Sequence, residues 1–208
     1  MSLPANELIA LLIAVSFAAG LNVYATVATL GLLEHAHALV LPPQLHVLSN
    51  WWIIAAAGTL FAIEFFADKV PAFDLIWNAL HTFVRVPVAA LLAWQATSTL
   101  SPGEQLAATL AGGLIAFIAH GGKTAVRSVV TPSPEPFSNI SLSLGEDVVA
   151  VGLTWIASVH PYVAATIAAV LVVIALVLIR WIWSALNGLF RSTQETMSSR
   201  PPRGLPLP

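Results

Sequence analysis

At 208 residues, of which 58% are hydrophobic and 9% charged, the chain falls far below the charged content of soluble domains, about a quarter. Its formal net charge of -2 leaves no basic footprint for nucleic acid, and the lack of cysteine removes disulfides, thiolate metal sites and a cysteine nucleophile together. What remains is an all-α, polytopic membrane helix bundle of about six spans, since six helices of roughly 20 residues with their loops use up the length.

In chain order, a first span is expected from about Leu8 to Leu33, interrupted near Gly20 by Gly-Leu-Asn-Val-Tyr, where Asn22 and Tyr24 add polarity. No Lys or Arg precedes it, and it is longer than a signal-peptide core of about 7–15 residues, so it reads as a retained span. A loop with His35, His37, Pro42, Pro43 and His46 follows. The second span is Trp51 to about Ala67, its Trp pair placed as an interfacial anchor.

Pro71 breaks the chain because it has no N–H to donate. A third helix is expected from near Phe73 to about Leu100, with Pro87 as a kink. Ser101-Pro102-Gly103 is a turn. The fourth span covers about Gln105 to Val130, with Gly112 and Gly113 as a packing face for a possible homodimer. A rigid Thr-Pro-Ser-Pro-Glu-Pro break leads to a fifth helix, about Phe137 to Val159, and a sixth, about Tyr162 to Ile182. The bundle thus occupies residues 1–191, and the polar, Pro-rich residues 192–208 read as a disordered cytoplasmic tail.

With six spans drawn, Lys69, Arg85, Lys123, Arg127, Arg180, Arg191, Arg200 and Arg203 all fall on one side. The positive-inside rule makes that side cytoplasmic. Both termini are then cytoplasmic, and the histidine loop lies outside.

Polar residues concentrate in two stretches. The first holds Glu64, Asp68, Lys69, Asp74, Asn78, His81 and Arg85; the second holds His120, Lys123, Arg127, Ser138, Asn139, Glu146 and Asp147. Charges in hydrocarbon cost about 2.5–3.5 kcal/mol each on insertion scales, so such residues are retained for a reason. Glu64 and Asp68, four apart, share one helix face. With Asp74 and His81 they compose a possible hard-cation or proton-relay site. For Asp68 and Lys69 an interfacial role beside Arg85 competes evenly. Ser138 or Asn139 is suited to cap the fifth helix, and Asp74 the third. The free N–H groups of those helix starts, with Lys69, Arg85, Lys123 and Arg127 nearby, suit an anion. Of the adjacent pair Glu146–Asp147 only one is expected to face the site. His35 and His37 are a weaker, external metal candidate.

Laying Pro71 over Pro136, an offset of 65 residues, sets Asp74 on Asn139, Asn78 on Ser143 and His81 on Glu146. Both sets lie on one helical face. The echo suggests two hairpin repeats related by an axis along the membrane normal, their polar faces meeting, as in transporters with broken helices.

Gly-Leu-Asn-Val-Tyr, then Glu64-x-x-x-Asp68-Lys69 with Asp74 and His81-Thr82-Phe83-Val84-Arg85, then His120-Gly-Gly-Lys123, Ser133 to Asn139 and the Glu146-Asp147 pair together resemble an uncharacterised bacterial membrane family, domain of unknown function 4126. The resemblance runs over roughly residues 10 to 185. It departs from the family pattern where Val86 stands between Arg85 and Pro87. It implies a multipass inner-membrane protein and supplies no activity.

Three functions compete. The first is a transporter or channel for an ion, small anion or lipid phosphate. The second is an intramembrane enzyme on lipid phosphates, holding a divalent cation at Asp68, Asp74 and Glu146. The third is a scaffold whose polar faces lock helices together. No Gly-rich nucleotide loop, Gly-x-Ser-x-Gly elbow or His-Glu-x-x-His motif supports an assigned catalytic residue or cofactor.

Overall fold

The first apolar run folds as two helices. α1 (Ala5–Leu21) stops at Asn22, which is extended at φ -150° and ψ 101°, and α2 (Val23–His35) starts at once. One side chain makes this possible. Asn22 closes α1 with its own N–H on the Ala18 carbonyl and caps α2 by accepting the Ala25 N–H at 2.9 Å, which satisfies a donor that a helix start leaves orphaned.

The computed structural model describes residues 4–68, 71–130 and 136–198, with side chains for all of these except 71–75, 136, 186 and 189–198. After α2 come a short 3-10 helix (Pro43–Ser49), α3 (Trp51–Ala67), α4 (Pro71–Ala96), α5 (Pro102–Val130), α6 (Pro136–Val159) and α7 (Pro161–Ser198). No strand occurs among the described residues.

α1 and α2 double back on each other. α1 runs in step with α5: added Cβ atoms on Gly112 and Gly20 would meet Ser16 and Ala116 respectively. Its start is tied to the start of α7, Asn6 bonding Tyr162 at 2.5 Å. α2 runs against α3, because Gly31 lies on Ile54 and His35 stacks on Trp51, whereas the far end of α3 meets Lys123 beside the end of α1. The pair is a hairpin that enters and leaves by one end of the bundle, with Asn22 at its tip. The expected first crossing is therefore corrected. An unbroken apolar run carries no mark of reversal, and the reversal needs only a residue that can cap both ways.

α4, α5, α6 and α7 are each long and apolar enough to cross a membrane. A fifth crossing follows when the 3-10 helix and α3, bent by 66°, count as one unit, whereas α1 is a shorter apolar helix. The outer surface is apolar, with Leu80, Phe83, Val148 and Val177 among its exposed side chains. Trp52 at the start of α3 and Trp181 and Trp183 on α7 are exposed at opposite ends. From Pro161 to Trp183, α7 advances about 33 Å at about 1.5 Å per residue, which matches a hydrocarbon core of about 30 Å.

The other expectations divide. α3 has the expected bounds, and α4 continues through Pro87. Because α4 and α6 begin on Pro71 and Pro136, Asp74, Ser138 and Asn139 sit inside the first turn and are not the caps; proline suits the first helical position since its missing N–H would be unpaired there anyway. Gly112 is spent inside the chain against Ala93 and Ser16, so it does not offer the expected dimer face. α7 stays helical to Ser198, past the expected start of the tail. With the hairpin in place, the chain starts at the end where α7 begins, and α7 ends at the other. Within the described residues, the start of α1 and the end of α7 lie at opposite ends of the bundle.

Candidate functional site

Seven charged side chains meet where the hairpin turns. Glu64 and Asp68 come from the end of α3, Arg85 from α4, Lys123 and Arg127 from one face of α5, and Glu146 and Asp147 from α6; all are buried. The spacing of the helix does the local work: Lys123 and Arg127, four apart, share a face, as do Glu64 and Asp68.

Arg85 donates to Glu64 through Nη2. Lys123 Nζ lies 3.2 Å from Asp68 Oδ2 and 3.2 Å from Glu146 Oε2, and 3.6 Å from Glu64 Oε1. Arg127 Nη2 reaches Asp68 Oδ2 at 3.0 Å and Glu146 Oε2 at 2.5 Å. Asp68 is thus paired with Lys123 and Arg127, not with Arg85, and it is buried, not lodged at the interface. Adjacent Glu146 and Asp147 both face inward, against the expectation of one, because α6 is flanked on two sides: Glu146 meets α5, and Asp147 accepts from Asn22 Nδ2 at 2.9 Å.

The broken helix contributes backbone. Lys123 Nζ donates to the Leu21 carbonyl at 3.3 Å and Arg85 Nη1 to the Gly20 carbonyl at 3.5 Å. These are the free carbonyls of the last turn of α1, the end where the helix dipole is negative, so two cations there are favourably placed.

Histidines form an outer ring. Arg85 Nη1 donates to His120 Nδ1 at 2.9 Å. A guanidinium can only donate, so Nδ1 accepts and the hydrogen sits on Nε2, which faces Thr82 Oγ1 at 2.8 Å and the Asn78 carbonyl at 3.1 Å. His81 stands one step away. Its Nδ1 faces the Trp77 carbonyl at 2.7 Å, so Nε2 accepts from the Tyr24 hydroxyl at 3.0 Å.

Asn78 and Asn139 are buried and Ser138 is half-buried. Lys69 lies outside the described residues, as does the Asp74 side chain, so the expected opposition of Asp74 and Asn139 lies outside them too. α4 packs chiefly on α5, and α6 on α1, α2 and α7. Their polar faces do not meet directly: Lys123, Arg127 and the hairpin tip stand between them. The two helices nonetheless bury the same register at an offset of 65, in Asn78 and Ser143, His81 and Glu146, Arg85 and Ala150, Ala89 and Thr154, and Leu92 and Ala157. Asn22 is the site residue that sequence reasoning missed; a lone amide in an apolar run was its only signal.

No group of three His, Asp or Glu that could hold a metal occurs among the described residues. His35 stacks on Trp51, His37 is exposed, and His46 Nδ1 pairs with Glu34 Oε1 at 2.5 Å.

Among the described residues, the cluster sets four carboxyls against three cations. Glu64 Oε2, Asp68 Oδ1 and Asp147 Oδ2 are buried with no hydrogen-bond partner among the described residues. Among the described residues, Asp147 is the carboxyl of the cluster that makes no ion pair; it accepts from the Asn22 amide.

No curated protein and no solved structure matches the chain. A family model, domain of unknown function DUF4126, matches residues 9–181. That range takes in the hairpin tip, all seven residues of the charge cluster and the candidate crossings as far as Trp181, and the chain belongs to this family.

Proposed function

We propose that this membrane protein is an ion-coupled transporter of the bacterial inner membrane, with the charge cluster as its exchange site and a proton as the simplest coupling ion. The observation that carries the reading is Asp147. It is a buried carboxyl in excess over the cations, held by an amide at the tip of a broken hairpin. Helix breaks of this kind form ion and substrate sites in transporters because they free backbone groups inside the membrane. Protonation of Asp147 balances the cluster. Loss of the proton leaves an unpaired charge in a medium of low dielectric, which costs several kcal/mol by the usual insertion scales, about 2.5–3.5, and drives a rearrangement. The end bearing Lys123, Arg127 and Arg180 is the cytoplasmic one. The shared buried register of α4 and α6 supports a repeat with its axis along the membrane normal.

The test is proton flux in proteoliposomes with a trapped pH dye. Native protein is expected to collapse an imposed pH gradient, and Asp147→Asn, which keeps the size and the contact with Asn22, is expected to abolish the flux while folding normally. Equal flux from both would remove Asp147 from the mechanism.

A second reading has its own support. Every cation of the cluster is paired, as a purely structural lock would require. A scaffold predicts that Asp147→Asn and Glu146→Gln lower the folded yield and that the native protein moves no protons. The enzyme reading is the weaker one. Asp68 and Glu146, two of its three metal-holding carboxylates, are engaged by Lys123 and Arg127.

A further inference from the structure

The hairpin stops short of one end of the bundle. Its tip touches α4 at Arg85, α5 at Lys123 and α6 at Asp147, and all three helices run on past it. From Asp147 back to the start of α6 at Pro136 the distance is about 16 Å at about 1.5 Å per residue. The three helices bury different chemistry on the two sides of that level. Beyond the tip, every described residue that they bury is polar: Asn78 and His81 on α4, Arg127 on α5, Asn139 and Ser143 on α6. On the hairpin's own side, past Arg85, His120 and Asp147, they bury Ala, Leu and Gly, with Thr154 the polar exception among the described residues. Polar side chains inside a membrane mark ion paths and proton relays, and here they are confined to one half of the axis.

Three of them stand in line on α6. Asn139, Ser143 and Asp147 are spaced four apart, so they share a face, and neighbouring Cβ atoms lie about 5–6 Å from each other. All three are buried, Ser143 completely. Its hydroxyl has no hydrogen-bond partner among the described residues, and neither has Asp147 Oδ2, one turn on. Other buried hydroxyls of this molecule bond back to the carbonyl four residues earlier: Thr26 to Asn22 at 2.8 Å, Thr97 to Ala93 at 2.6 Å and Thr154 to Ala150 at 2.7 Å. That bond is open to any serine or threonine in a helix. Ser143 does not make it, so its hydroxyl can turn to the carboxyl a turn away. Thr154, further along the same face, is bonded to its own helix, and the line ends at Asp147.

We infer that Ser143 is the relay through which Asp147 takes and returns its proton, and that the exchange runs to the end of the bundle where α6 begins. A proton from water reaching the Asn139 amide adds to a lone pair of Ser143 Oγ as the proton already on Oγ passes to Asp147 Oδ2. The hydroxyl stays neutral, the carboxylate becomes the acid, and a turn about the side chain resets the relay. The apolar half on the other side offers no such step. This deepens the transport reading by naming the route of its coupling ion. It rests on that reading for net flux but not for exchange at Asp147.

The experiment moves the full chain in lipid vesicles into heavy water and follows, by infrared spectroscopy, the carboxyl band that Asp147→Asn removes, since deuterium shifts it. Ser143→Ala is expected to slow the shift about a hundredfold, the low end of what a positioned proton-transfer group supplies. Ser143→Thr, which keeps a hydroxyl, is expected to restore most of the rate, and Thr154→Val to leave it unchanged. Because the hydroxyl has no described partner to lose, Ser143→Ala is also expected to hold or exceed the native thermal midpoint. A native rate in Ser143→Ala, a clear fall in its thermal midpoint, or equal slowing in Ser143→Thr or Thr154→Val would overturn the inference. Slowed exchange in Ser143→Ala beside a native protein that moves no protons would sink the transport reading alone. Flux lost in Asp147→Asn but unchanged in Ser143→Ala would sink the relay alone, and no carboxyl band lost in Asp147→Asn would sink both.

Discussion

Arg85 shows how much one side chain carries in this molecule. Fully buried, it donates to Glu64, to His120 and to the Gly20 carbonyl in the last turn of α1. Arg85→Leu strands Glu64 beside a Lys123 that is already shared. Removing one partner of a buried pair costs about 3–5 kcal/mol, and a large drop in thermal midpoint in detergent is the expected outcome. Glu64→Leu with Arg85→Leu should recover most of that loss, since replacing both partners by apolar groups is often neutral; a double variant no better than the single one would show that the pair does not act as a unit. Asn22→Ala removes a cap, worth about 1 kcal/mol, and also the amide that holds Asp147, so its loss should exceed a capping effect alone. At this scale the sequence was legible in one respect. Charges in oil stand out, and those expected to gather do gather wherever their side chains are described. Their pairing was not legible. An interfacial Asp68 beside Arg85 was one reading of the sequence, but helices from distant parts of the chain decide which cation arrives, and they bring Lys123 and Arg127.

Among the elements, the contact of α1 with α5 is the tightest to test. A Cβ on Gly20 would stand 2.5 Å from the Ala116 carbonyl oxygen, which is backbone and cannot swing aside. Gly20→Val should therefore push α1 off α5 and lower stability by more than the usual overpacking cost of about 1–3 kcal/mol. Gly145→Ala, facing open space, should be neutral or gain up to about 1 kcal/mol in helix propensity. Thermal midpoints of the two side by side check the claim, and comparable losses would contradict it. Element boundaries were readable wherever proline or an aromatic pair marked them, as at Trp51, Pro71 and Pro136. The hairpin was not readable. Helical periodicity vanishes where every position is apolar, so α1 and α2 looked like one span, and the reversal depends on side-chain capping that composition does not report.

Among the described residues, four helices long enough to cross a membrane, with the bent 3-10 helix and α3 as a candidate fifth crossing, pack around a short hairpin, and the direction of that hairpin sets everything else. It brings free carbonyls to Arg85 and Lys123, presents Asn22 to Asp147, and sets the start of α1 opposite the end of α7. The seven charges, the Ser143 relay and the proposed exchange of a proton all require that tip to lie inside the bundle. Because the chain has no cysteine, single introduced cysteines report sidedness without background. In sealed vesicles of one orientation, an impermeant maleimide should label Asn6→Cys and His37→Cys from one face and Ser192→Cys only from the other. If positions 6 and 192 are labelled from the same face, α1 and α2 form one crossing, and the site built on their turn does not exist.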